Sequence, residues 1–139
     1  TKQLELNGLL KQYLQDYEEV YDYRNIEVTI DEQDIFNVTM NESLAVALLT
    51  NLLKNAFVHN IDGGNIRITV TKNSITFRNS GVKNPLDKEH IFERFYQGTK
   101  KEGSTGLGLA IADSICRLQH LSIRYYFEQK EHCFEISRQ

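Results

Sequence analysis

Long hydrophobic runs are missing from this sequence. No apolar stretch approaches the ~20 residues that cross a bilayer, and no signal-peptide pattern opens the chain. The first residue is Thr rather than Met, which suits a fragment whose parent carries any membrane anchor elsewhere. The expected setting is cytoplasmic, with no membrane contact by this domain. Cysteine is scarce: Cys116 and Cys133 stand far apart without CxxC or Cys/His spacing, as for two core thiols in a reducing compartment. A basic excess is also lacking. Sixteen Lys and Arg against nineteen Asp and Glu leave a net charge of -3 and a pI near 5.8, which argues against a dedicated nucleic-acid binder. A local basic patch can still serve phosphates. Repeats and low-complexity segments are absent too. What is present is 139 residues, 40% hydrophobic and 25% charged, enough to bury a core as one domain spanning 1–139.

Leu6, Leu9, Leu10, Tyr13, Leu14 and Tyr17 recur at helical spacing and predict an amphipathic helix over 3–19. Residues 26–31 alternate like a half-buried strand, and 35–39 make a second short one. Asn41 is placed to cap a long helix reaching roughly His59, with Leu44, Leu48, Leu49, Leu52, Leu53 and Ala56 as its apolar stripe. Asp62-Gly63-Gly64-Asn65 reads as a turn into strand 66–71, and Lys72-Asn73 as a tight hairpin into strand 74–79. Regularity fades from Asn79 to Gly106, a stretch that holds the one proline; a loop of that length in a compact domain usually has a function. A helix near 107–119 and strands 122–128 and 132–137 follow, around a Gln129-Lys130-Glu131 turn. This order predicts an α+β fold, a two-layer α/β sandwich with helices on one face of a mixed sheet.

The glycine segment 103–111 (GSTGLGLAI) lacks what either common nucleotide motif requires. Leu109 follows Gly108, so the Gly-Lys-Ser/Thr ending of a Walker loop is missing. Ile111 stands where a dinucleotide fingerprint needs its third glycine, and the polar run 97–105 is not a strand. What remains is a pair of glycines one residue apart, leading directly into an apolar helix. Such a backbone can approach an anion, and the helix N-terminus favours negative charge. The same residues also suit a glycine-rich connection.

Asn51, Asn55 and His59 are spaced i, i+4, i+8 and share one edge of the 41–59 helix, with Lys54 close by. Asparagine is only a middling helix former. A carboxamide oxygen can ligate Mg²⁺, which takes few protein groups and keeps waters and phosphates. A polar flank bonding helix to sheet would look the same in sequence.

Taken together, these segments resemble the catalytic domain of sensor histidine kinases, within the wider gyrase–Hsp90–histidine kinase–MutL superfamily. LLTNLLKNAFVHN is similar to the N box, FRNSG to the first glycine box, IFERFYQG to the F box and GSTGLGLAI to the second glycine box. Four motifs occur in the family's order, and the likeness spans nearly the whole chain. It implies a Bergerat-type fold that binds ATP and Mg²⁺. By that resemblance Asn55 ligates the metal, and Asn51 reaches the phosphates or a metal-bound water. His59 lies near the phosphates, and Gly103, Gly106, Leu107 and Gly108 line them. Arg94 corresponds to the F-box basic residue that reaches the phosphates, so Asn51, Asn55 and Arg94 form the catalytic set. Phe92 and Phe95 are expected to pack rather than touch ligand, and Lys54 to be solvated. Residues 97–105 resemble the ATP lid, disordered or ligand-dependent, with Lys100 and Lys101 to neutralise charge. The adenine-binding aspartate of the first glycine box is replaced by Asn79, followed by Ser80 and Gly81, and Lys83 replaces a second glycine. An asparagine oxygen accepts the same hydrogen bond without the assistance of charge.

The resemblance implies a protein-histidine kinase: phosphoryl transfer by positioning and charge neutralisation, onto a histidine of a separate helical dimerisation domain, with a response regulator downstream. None of His59, His90, His120 and His132 sits in an acceptor helix with an acidic neighbour, so the phosphoacceptor is expected outside this chain. ATP-hydrolysing relatives carry a glutamate four residues before the N-box asparagine as general base. Asn51 stands there and cannot take a proton at neutral pH. The alternative is a degenerate nucleotide-binding or interaction module of the same superfamily, suggested by Asn79 and Lys83.

Overall fold

The computed structural model describes residues 1–96 and 106–139. The chain begins with strand β1 (Lys2–Glu5), then helix α1 (Leu6–Val20) and a short 3-10 turn at 22–24. The expected helix over 3–19 therefore starts later than its pattern suggested. Leu6, Leu10 and Leu14 are its buried face, whereas Leu4 is buried by antiparallel pairing of β1 with β3 (Asn37–Met40), where it stands opposite Val38. The Leu6 amide extends that ladder by donating to the Phe36 carbonyl at 3.0 Å. Pairing with a strand more than thirty residues away overrides local helical propensity.

Strand β2 (Glu27–Glu32) precedes β3, and α2 (Glu42–Val58) follows it. Asn41 caps α2 as its residue type predicts, its Oδ1 accepting from the Leu44 amide at 3.0 Å. Strands β4 (Asn65–Val70) and β5 (Ser74–Asn79) form the expected hairpin, closed by the Thr71 amide on the Ser74 carbonyl at 2.9 Å. Helix α3 (Gly108–Leu118) and the hairpin β6 (Leu121–Glu128) and β7 (Glu131–Arg138) complete the fold. Gln129 and Lys130 both take positive φ (52° and 65°), the two-residue turn whose twist suits a hairpin.

The main sheet runs β2-β4-β5-β7-β6, parallel between β2 and β4 and antiparallel elsewhere. One face carries Ile66, Ile68, Val70, Ile75, Phe77, Phe134 and Ile136 into a core shared with Leu48, Leu49, Leu52 and Leu53 of α2. The other face is polar, with Thr76 on Glu135 at 3.1 Å, Arg124 on Glu135 at 2.7 Å and Arg78 on Glu128 at 3.0 Å. This is the mixed-sheet α/β sandwich expected from the element order. Both cysteines are unpaired and buried; burial, aided by Asp113, pushes the Cys116 thiol up to about 12. Among the described residues no helix is long and apolar enough to cross a membrane.

Candidate functional site

Helix α2 and the residue after it present Asn51, Asn55 and His59 half-buried on one flank, while Lys54 is exposed. The Asn51 carboxamide donates to the Ala47 carbonyl one turn back, at 2.7 Å. That bond sends Oδ1 toward α3, where a Cβ placed on Gly108 would lie 3.1 Å from it. Asn55 differs: among the described residues its side chain makes no hydrogen bond, so both its oxygen and its nitrogen are available. At the far end of the flank, the His59 carbonyl lies 2.7 Å from where a Cβ on Gly81 would sit. One helix edge thus meets the second glycine box at Asn51 and the first at His59. Eight residues of helix separate them, about 12 Å.

Asn79 closes β5 with 2% exposure. Its Nδ2 donates to the Ser80 carbonyl at 2.8 Å, and its Oδ1 is buried with no partner among the described residues. A carbonyl can only accept, so the nitrogen must face Ser80 and the oxygen is left as a lone acceptor. A buried acceptor without a donor costs about 1–3 kcal/mol. The other unpaired buried side-chain atom among the described residues, Nη1 of Arg78, has the Glu131 carboxylate at 4.0 Å. Asn79 has no such compensation.

A knot of polar groups holds this corner. The Ser80 hydroxyl donates to Asn60 Oδ1 at 2.6 Å and accepts from the Asn65 amide at 2.8 Å. Asn60 is fully buried and donates to the Ala56 and Asn65 carbonyls, each at 3.1 Å. Any Cβ on Gly64 would collide with Asn60 Oδ1 and Ser80 Oγ, so glycine is required there by close approach. Arg24 donates to the Phe57 and Asn60 carbonyls at the end of α2 and pairs with Asp62 at 2.8 Å. Asn65 and Arg24 carry no motif signal. Asn60 is the last residue of the N-box segment, and that place is the one sequence signal for its role.

In the F box, Ile91 is buried and Phe92 packs edge-to-face on Phe134, centroids 6.2 Å apart. Phe95 does not pack as expected: the residue is 64% exposed and its φ is +64°. Its backbone is the anchor. The Phe95 amide donates to the Gly106 carbonyl at 2.6 Å, and a Cβ on Gly106, itself at φ +76°, would lie 2.8 Å from Phe95 Cα. The turn that makes this contact throws the ring outward. Arg94 is exposed, its guanidinium 5.2 Å above that ring. Leu107, the residue before α3, offers no side-chain cap of its own, unlike Asn41 at α2. That composition suits a helix end where an anion serves as cap. Lys100, Lys101 and Gly103, with the rest of the expected lid 97–105, lie outside the described residues.

Two other features share no residue with this flank. A shallow cleft over Tyr21 and Phe57 is rimmed by Glu18, Asp22 and Glu27, carboxylates that repel a triphosphate. Asp87, Glu89 and His90 place ligand atoms within 4.8 Å of one another on the exposed loop after β5.

The family model for the histidine kinase-, DNA gyrase B- and HSP90-like ATPase matches residues 40–137. The heme sensor protein HssS of Staphylococcus aureus is 33% identical over 127 residues, covering 88% of this chain and 28% of that protein. The chain therefore spans a little over a quarter of the length of that relative. The mycobacterial sensor histidine kinase MprB superposes with a TM-score of 0.85 over 99% of each chain at 18% identity, which speaks for the fold. The catalytic domain of histidine kinase ThkA gives 0.85 over 97% of this chain and 92% of that one, at 25% identity. ThkA has also been solved with the response regulator protein TrrA, with a TM-score of 0.80 over 97% of this chain and 40% of that one, at 24% identity. The chain belongs to the histidine kinase-, DNA gyrase B- and HSP90-like ATPase family, as a catalytic domain of the sensor histidine kinase kind.

Proposed function

We propose that this domain holds Mg-ATP along the Asn51–His59 flank and donates its γ-phosphate to a histidine of a separate helical dimerisation domain. The base lies at Asn79, where the lone Oδ1 accepts from the exocyclic amine. The triphosphate runs toward Gly106, Leu107 and Gly108, where the start of α3 supplies amides and dipole. Asn55 is the metal ligand, because its carboxamide is committed to nothing else. Magnesium held there would neutralise triphosphate charge and orient the terminal phosphate. Arg94 and Lys100 add positive charge from the F box and lid. The resulting phosphohistidine passes its group to a response regulator, a reading supported by the ThkA–TrrA complex.

The observation that carries a kinase over a hydrolase is Asn51. It occupies the position of the hydrolysing relatives' glutamate, and its amide is tied to its own helix at 2.7 Å. An asparagine at that position cannot deprotonate water. The reading is tested by mixing the domain with a histidine-bearing helical domain and γ-labelled ATP. Label on the acceptor with little free phosphate is expected; free phosphate without phosphohistidine would overturn the reading. Tight binding with neither product would favour the degenerate module that Asn79 and Lys83 suggest. In parallel, Asn55→Ala should weaken Mg-ATP binding roughly ten- to hundredfold, the scale of one charge-assisted contact, without lowering the melting temperature. Equal binding by wild type and variant would remove Asn55 from the metal site.

A further inference from the structure

His132 belongs to none of the four boxes, yet it is 3% exposed and stands directly opposite Asn79 in the β5–β7 ladder. Residues paired in this way project to the same face of the sheet, here the face that the helices cover. On its other side His132 pairs with Phe127 of β6, whose ring lies 4.9 Å away. The imidazole makes two hydrogen bonds, Nε2 with the Val82 carbonyl at 2.8 Å and Nδ1 with the Tyr125 hydroxyl at 2.7 Å. That hydroxyl also accepts from the Leu86 amide at 2.9 Å.

The donors can be assigned without ambiguity. The Val82 carbonyl only accepts, so Nε2 carries the proton; a neutral ring then accepts at Nδ1 from Tyr125. The chain of bonds ties Val82 and Leu86, which follow β5, to the edge of the sheet. It also closes on the first glycine box from behind. A Cβ on Gly81 would lie 3.1 Å from Cδ2 of His132 and 2.7 Å from the His59 carbonyl. The segment from Asn79 to Val82 therefore runs between the end of α2 and the His132 ring.

The direction of Asn79 Oδ1 depends on that segment, because the carboxamide nitrogen is held by the Ser80 carbonyl at 2.8 Å. A rotation of the Ser80–Gly81 peptide would turn the carboxamide with it. We propose that His132 is a positioning residue for base recognition, fixing the Asn79–Val82 segment so that Asn79 Oδ1 meets the amino group of the adenine ring. This rests on the reading of Asn79 as base acceptor given above.

The test compares Mg-ATP with the Mg complex of purine riboside triphosphate, which lacks the 6-amino group. Both are titrated into wild type, Asn79→Ala, His132→Phe and Tyr125→Phe. Wild type is expected to prefer ATP by about tenfold, the scale of one hydrogen bond, and Asn79→Ala to show no preference. His132→Phe keeps an aromatic ring but removes both hydrogen bonds, and Tyr125→Phe removes one hydroxyl. In both the preference should fall below about threefold. A purely structural role would weaken the two nucleotides equally and leave their ratio intact. That result in both variants, beside a wild type that prefers ATP, would overturn the role of His132 alone. No preference in wild type would overturn the Asn79 reading and this inference with it. Should His132→Phe fail to give a cooperative melt, Tyr125→Phe decides the matter.

Discussion

Gly108 opens α3, where helix propensity favours almost any other residue: glycine costs roughly 1 kcal/mol relative to alanine inside a helix. Space decides otherwise. A Cβ at 108 would sit 3.1 Å from Asn51 Oδ1, and Asn51 cannot retreat while its amide holds the Ala47 carbonyl. Gly108→Ala is therefore expected to lower the melting temperature slightly, because the methyl fits only if Asn51 gives up its bond to the Ala47 carbonyl, which outweighs the gain in helix propensity. Its affinity for Mg-ATP should fall by about tenfold, about 1.4 kcal/mol, as the new methyl displaces Asn51 and fills the approach to the helix end. Differential scanning fluorimetry and calorimetric titration read the two effects separately; undiminished affinity would take Gly108 out of the phosphate site. At this scale the sequence was partly legible. The i, i+4, i+8 spacing put Asn51, Asn55 and His59 on one flank. The difference between the tied Asn51 and the uncommitted Asn55 depends on a rotamer, and spacing does not encode rotamers.

Elements whose reason to exist is local were readable, and those held by distant partners were not. Helix α2 follows from its leucine stripe and the Asn41 cap, both within its own span. Strand β1 depends on β3, and the outward turn at Phe95 depends on Gly106. The C-terminal end of α2 is of the second kind, since its carbonyls are satisfied by Arg24, more than thirty residues earlier. A cation at that end answers both the unpaired carbonyls and the helix dipole. Arg24→Gln is expected to destabilise the domain by about 1–2 kcal/mol in urea denaturation, because it strands the Asn60 carbonyl and leaves the Phe57 carbonyl only the 3.3 Å bond from the Asn60 amide. Asp62→Asn, which removes only the ion-pair partner, should change little, since that carboxylate is 82% exposed. Equal losses from the two variants would mean that the ion pair matters and the carbonyl contacts do not.

For the molecule as a whole, the element order sufficed for the fold class, because strands in consecutive pairs with helices between them leave few ways to cover a sheet. The insertion of β7 between β5 and β6 was not legible, since it is decided by which edges find partners in space. That insertion sets His132 beside Asn79, and with it a dependence of global stability on pH. Burial holds the His132 pKa below the usual histidine value, against a smaller opposite effect of the Val82 hydrogen bond. The facing groups are Tyr125 and Phe127 from β6 and the Val82 carbonyl, none of them charged at neutral pH. The unfolded chain binds its proton near pH ~6.5, the folded protein only below that. Stability from this group is thus complete above the unfolded value and is lost as pH falls toward the folded one. His90 acts with the opposite sign: the Asp87 carboxylate raises its pKa, so its contribution is present below the usual histidine value and lost as pH rises through the folded one. The lowered Glu32 and Asp87 carboxylates act further toward acid. Between about pH 5 and 6.5 the dominant loss should then come from His132. Urea denaturation at pH 7.5, 6.0 and 5.0 is expected to show wild type losing stability on acidification and His132→Gln losing less, because glutamine has no proton to gain. Parallel losses in the two proteins would place the acid sensitivity elsewhere and leave His132 without a part in it.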